Sequence, residues 1–155
     1  MDPLIEIDGI ERTFRDHQVR LWRALVLATG SADVASEAVS EAFAQAIARG
    51  DAIHDPAAWV WTAAFKIAKG ELARRGSERT LTDELAITDP EPLVDVLRAL
   101  GELTAHQRTA VVLADYAGYR HAEIAKILGS TTAAVAVHVH RGRRRLRSLL
   151  EVNDG

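Results

Sequence analysis

The sequence predicts an all-α protein built from two small helical domains. Apolar residues recur at three-to-four spacing along most of the chain, and no segment alternates as a half-buried strand would. The periodicity lapses from Gly76 to Pro92, where "GSERTLTDELAITDPEP" gathers two prolines, a glycine and several acids. This divides the chain into an N-terminal helical bundle over 10–79, a linker over 80–92 and a helix-turn-helix domain over 93–150. With 155 residues and 16.9 kDa, the chain is long enough for two such units.

The first helix is expected from Ile10 to Thr29, on the repeat of Ile10, Phe14, Leu21, Leu25 and Ala28, with Gly30 and Ser31 as its stop. The second runs from Ala32 to Arg49. Its stripe of Ala35, Ala38, Val39, Ala42, Phe43, Ala46 and Ile47 is rich in small residues that let a neighbouring helix approach closely. Asp55 is a candidate cap for the third, and Pro56 fits its first turn, where a missing N–H costs nothing. That helix carries two apolar stripes, Trp59/Ala63/Ile67 and Trp61/Phe65/Leu72. Either both are buried between neighbours or one is a binding surface. In the second domain, helices are expected over Leu93–Leu100, after a Thr104 cap, over His121–Leu128, and from Thr131 to about Leu150.

The composition narrows the chemistry. There are no cysteines, which removes disulfides, thiolate metal sites and a cysteine nucleophile. No apolar run approaches the length of a membrane-spanning helix, so no membrane insertion is expected. "MDPLIEIDG" carries acids where a signal peptide carries bases, and a cytoplasmic location is predicted. Glu37 and Glu41 share a helix face, yet no catalytic constellation is completed. His138 and His140 diverge on a helix and make a poor metal pair. The expectation is a non-enzyme with no metal and no cofactor.

Charge is distributed unequally. Residues 1–91 hold 10 Lys/Arg and 16 Asp/Glu (10 − 16 = −6), whereas residues 92–155 hold 9 and 6 (9 − 6 = +3). Five of the latter cations are Arg141, Arg143, Arg144, Arg145 and Arg147. Just before them, Ala125, Gly129 and Val135 supply what a tight helix-turn-helix requires: a small residue at the crossing, a glycine in the turn, and an apolar residue locking the second helix back. Thr131 is a candidate cap for that second helix, an effect of about 1 kcal/mol. At 100° per residue, Val135, Val139, Gly142 and Leu146 point inward. Ala133, Val137, His140, Arg141, Arg144 and Arg147 point outward.

Recognition helices enter the major groove by their N-terminal part. Here Thr131, Thr132, Ala134 and Val137 occupy it, followed by His138 and His140, for which phosphate contact or plain exposure are the readings. The arginines come later, where phosphate contacts set position and affinity more than sequence preference. A merely solvated terminal helix is the alternative.

The residues in "LTAHQRTAVVLADYAGYRHAEIAKILGSTTAAVAVHVHRGRRRLRSLL" resemble region 4 of the extracytoplasmic-function (ECF) sigma factors of the sigma-70 family. The match lies in Leu103, Gln107, Arg108, Glu123, Ile124, Ala125, Leu128, Gly129, Val135, His140, Arg141, Arg143 and Leu146. Ala136 and His138 stand where a lysine and an arginine are common. "VASEAVSEAFAQAI" is similar to the acid-rich helix of region 2, retaining Glu37, Glu41 and Phe43, with Val34, Ser36 and Ser40 replacing an acid, an acid and a glutamine. "AWVWTAAFKIAKGELARR" keeps Ala58, Trp59, Arg74 and Arg75, with Lys66 and Gly70 in place of Asn and Asp.

The resemblance implies a region 2-like bundle and a region 4-like helix-turn-helix domain. It further implies binding to core RNA polymerase through Glu37 and Glu41, and recognition of a duplex -35 element by the C-terminal helix. The single-stranded -10 element would fall to Lys66, Lys69, Arg74, Arg75 and Arg79, with Trp61 or Phe65 stacking on an unpaired base if exposed. An anti-sigma factor is a possible further partner. The rival expectation is a sigma-like DNA-binding regulator that engages polymerase weakly or not at all, and a purely structural bundle is a second.

Overall fold

The computed structural model describes residues 3–75 and 93–154. Three helices make the N-terminal unit: α1 (Pro3–Thr29), α2 (Ala32–Arg49) and α3 (Pro56–Arg75), with a single 3₁₀ turn over Gly50–Ala52. The C-terminal unit comprises α4 (Leu93–Gly101), α5 (Ala105–Val111), a π-helical turn over Val112–Tyr116, α6 (His121–Leu128) and α7 (Thr132–Asp154). Helix α1 begins seven residues before Ile10, the start expected from its periodicity.

The caps explain where the helices start. Ser31 Oγ accepts the Val34 N–H at 3.2 Å, and Asp55 Oδ1 accepts that of Ala58 at 3.2 Å. Thr104 and Gln107 exchange two hydrogen bonds, each 3.2 Å, in a capping box that opens α5. Between α6 and α7, Gly129 takes the left-handed conformation (φ 64°), and its neighbour Ser130 donates to the Ala125 carbonyl at 2.8 Å. Thr131 Oγ1 then accepts the Ala134 N–H at 3.1 Å.

The alanine stripe of α2 is buried as its spacing predicts, except that Ile47 is 66% exposed. On α7, Val135 and Val139 are buried and Leu146 is half-buried. Gly142 is there because α7 crosses α5 at that point. A Cβ built on it would lie 2.5 Å from Val111 Cγ2 and 3.2 Å from the Gln107 carbonyl. Gly142→Val is therefore expected to lower unfolding free energy by about 1–3 kcal/mol through overpacking. Gly70→Ala, on an open helix surface, should leave stability unchanged or raise it by up to about 1 kcal/mol. Urea unfolding of both variants checks this, and equal stabilities would refute the crossing.

The two units touch. A single cluster of buried residues runs from Leu21, Leu25 and Trp61 through Leu103, Ala110 and Leu113 to Ile124 and Val135. Two arginine-to-carbonyl bonds frame the contact. Arg108 Nε donates to the Leu27 carbonyl at 2.7 Å, and Arg20 donates to the Ala117 carbonyl. Leu27 lies in the last turn of α1, where carbonyls lack intrahelical partners and the helix dipole favours a cation. Gly30 (φ 73°) leaves room for this docking, since a Cβ there would stand 3.2 Å from the Arg108 guanidinium. Burial pushes the Arg108 pKa down to about 10, and its Nη2 is buried without a hydrogen-bond partner.

Candidate nucleic-acid and polymerase interface

Helix α7 displays the cations proposed for duplex DNA. Arg141, Arg144, Arg145 and Arg147 are exposed, as are Thr131, Thr132, Val137 and His140, while Ala134 and His138 are half-buried. All but Thr131, which caps it, lie on α7, a helix packed against α5 and α6 with Val135 and Val139 buried. Arg143 differs from the other arginines. It forms a two-pronged pair with Asp115 in the π turn, Nη2 to Oδ1 at 2.6 Å and Nε to Oδ2 at 3.0 Å. That hydrogen bond raises its pKa above the usual arginine value and ties α7 to its own domain. Asp115 carried no signal in the sequence, because the pair depends on the π turn.

The N-terminal set divides. Trp61 is fully buried and Phe65 is 6% exposed, which corrects the expectation that either offers a face to an unpaired base. Trp61 donates its indole N–H to His17 Nδ1 at 3.1 Å. It lies parallel to Phe65 (centroids 6.1 Å apart) and meets Tyr119 of the other unit edge-on at 5.2 Å. Burial, the leading cause, raises the pKa of Tyr119. Lys66 and Lys69 are exposed. Arg74 is exposed and pairs with Glu71, whereas Arg75 is mostly covered, pairing with Glu37 at 2.8 Å and Glu71 at 3.0 Å. Hydrogen bonding to Arg75, chiefly, holds the Glu71 carboxyl below its usual value. Arg79 lies outside the described residues.

Glu37 and Glu41 are both exposed and line an open groove of about 1270 Å³ between α2 and α3. Trp59, Ala63 and Ile67 form its apolar side, with the Arg49 guanidinium 5.3 Å over the Trp59 ring. The two stripes of α3 thus differ: Trp61 and Phe65 enter the core while Leu72 of the same stripe is exposed, and Trp59, Ala63 and Ile67 border the groove. Lys66 and Arg74 lie on the same groove, so the residues expected to meet polymerase and those expected to meet the -10 strand adjoin one another. Among the described residues no cluster of three or more His, Asp or Glu could hold a metal ion. Among them, too, no helix is long and apolar enough to cross a membrane.

Two packed helical units, the second ending in a helix-turn-helix with an outward cationic face, define a helix-turn-helix protein of the DNA-binding kind. The family model for sigma-70 region 4 matches residues 93–146. The chain is 30% identical over 151 residues to the ECF RNA polymerase sigma factor SigM of Mycobacterium tuberculosis, covering 92% of this chain and 77% of that protein. It is 29% identical over 156 residues to SigL of the same organism, covering 89% and 86%. Among solved structures, it matches the sigma factor RpoE in complex with the anti-sigma factor NepR from Bartonella quintana, with a TM-score of 0.71 and 23% identity over 89% of this chain and 96% of that one. It also matches CnrH in complex with the cytosolic domain of CnrY, with a TM-score of 0.73 and 23% identity over 97% of each chain. At that identity the solved neighbours establish the fold alone. The chain belongs to the ECF sigma factors of the sigma-70 family. It is accordingly a non-catalytic factor that binds RNA polymerase and recognises promoters.

Proposed function

We propose that this sigma factor grips promoter DNA with both units and opens the -10 region. The observation that carries the reading is the polarity of α7, with Val135 and Val139 buried and Arg141 and Arg144 exposed on the same helix. The C-terminal unit, residues 93–150, would seat α7 on the duplex -35 element, with the exposed arginines on phosphates. The N-terminal unit, residues 10–79, would hold the melted strand by Lys66, Lys69 and Arg74, cations suited to a single-strand backbone. Binding of that strand would offset about 1.4 kcal/mol of stacking per base-pair step. The groove beside Glu37 and Glu41 is the docking surface we assign to core polymerase. An anti-sigma factor, of the kind that the Bartonella quintana RpoE binds, would compete for these surfaces, and the cytoplasm is where polymerase would meet the chain.

Geometry adds a step. Elements about 25 base pairs apart are separated by about 85 Å of B-DNA at about 3.4 Å per pair. The two units here are joined by a 2.7 Å hydrogen bond between Arg108 and Leu27, and on this reading they would part to reach both. The 17 residues of 76–92 have a contour length of about 60 Å. Release restores solvent to the Arg108 guanidinium, which lowers the cost of opening.

Reconstitution with core RNA polymerase on a promoter library tests the reading. Core binding, promoter-specific transcripts and permanganate-reactive thymines in the -10 region are expected. Duplex binding without retention by core polymerase would establish the rival, a DNA-binding regulator. Because the chain has no cysteine, Ala48→Cys and Ser148→Cys accept a fluorophore pair, whose energy transfer should fall in the promoter complex.

A further inference from the structure

His106 near the start of α5 and His138 on α7 stack face to face, with ring centroids 5.2 Å apart and planes 18° from parallel. This contact belongs to neither the hydrophobic core nor the helix-turn-helix crossing. Along α7, His138 shares a face with Arg141 and Arg145, three and seven positions on. The imidazole pair therefore forms one edge of the cationic surface, on the side bordered by α5.

The elements that pack on α7 carry charges of both signs, several of them already engaged. Helix α5 contributes Arg108, which is bound to the Leu27 carbonyl, and α6 contributes Lys126 and Glu123, the latter paired with Arg120. Asp115 of the π turn is held by Arg143. Asp95 and Arg98 on α4, and Glu102 after it, complete the charged groups of the elements that pack on α7. Among the described residues, no carboxylate is within ion-pair distance of either imidazole. Two neutral rings stack at no electrostatic cost. Two imidazolium rings beside Arg141 and Arg145 repel, unless an anion lies across them. A DNA phosphate is such an anion, and the neighbouring arginines would bring it to this edge.

We propose that His106 and His138 form a proton-linked phosphate site, in which duplex DNA binding loads protons onto the stacked pair so that a backbone phosphate bridges both rings. This rests on the reading of α7 as a DNA-binding helix. Because a bridging phosphate favours the protonated rings, affinity rises as pH falls. Proton uptake on binding gives log K a negative slope against pH.

The test uses the full chain and a fluorescein-labelled 30-base-pair duplex of mixed sequence, with anisotropy read from about pH 5.5 to 8 at fixed salt. The expected result is roughly tenfold tighter binding at the acid end, flattened to within about twofold in both His106→Gln and His138→Gln but retained in His140→Gln. Circular dichroism shows that each variant is folded. A flat profile in the unaltered chain, or a slope that survives His106→Gln, overturns the site while leaving DNA binding by α7 standing. No duplex binding at any pH overturns both readings together.

Discussion

Trp61→Ala is expected to cost about 3–5 kcal/mol of stability, the range for removing a large aromatic from a close-packed core. A domain of this size has about 5–15 kcal/mol in all, so the variant should be mostly unfolded at modest urea. The indole is fully buried, donates to His17, lies along Phe65 and meets Tyr119. Its loss leaves a cavity where α1, α3 and the C-terminal unit converge, and His17 Nδ1 loses its donor. Because Tyr119 belongs to the other unit, the transition should shift as a whole, in circular dichroism and in the fluorescence of Trp22 and Trp59 alike. Trp61→Phe, which fills more of the space and loses the N–H, should fall between the two. A base-stacking Trp61 predicts the opposite pattern, near-normal stability with weakened single-strand binding. A loss under about 1 kcal/mol in the alanine variant would remove Trp61 from the core.

The residues that decide this prediction also show where sequence reasoning reaches its limit. Helices α2, α6 and α7 were legible because their period, caps and glycine turn are local, and Val135, Val139 and Gly142 are buried as their register requires. The two stripes of α3 were equally visible, but period alone cannot say which one is covered. Tyr119 covers the Trp61 stripe and arrives from far along the chain, so Trp59 is left bordering the groove. Arg108 shows the same limit. It matched a family position, yet nothing local marks an arginine whose partner is the Leu27 carbonyl at the end of α1. The salt-bridged states of Arg75 and Arg143 depend on Glu37 and Asp115 in other elements. Of the cationic set, what spacing did show was which face of α7 the arginines occupy.

That face supports the second large effect. Replacing Arg141 and Arg144 together by alanine should remove two phosphate contacts. Each contact contributes about 0.9 to the slope of log K against log salt, so the slope should fall in magnitude by about 1.8. Between 50 and 200 mM salt, where log salt changes by about 0.6, the penalty the protein pays would shrink by about tenfold. The loss of affinity should be nearly uniform across duplex sequences, because phosphates carry no base identity. Stability should change by no more than about 0.5 kcal/mol, since both side chains are exposed and neither forms an ion pair among the described residues. Arg143→Ala offers the contrast. Its guanidinium is committed to Asp115, so its removal should lower stability of the C-terminal unit and alter the salt slope less than either exposed arginine does. An unchanged slope in the double variant would mean that these guanidinium groups do not touch the backbone, and α7 would then have to hold DNA through its N-terminal threonines and imidazoles.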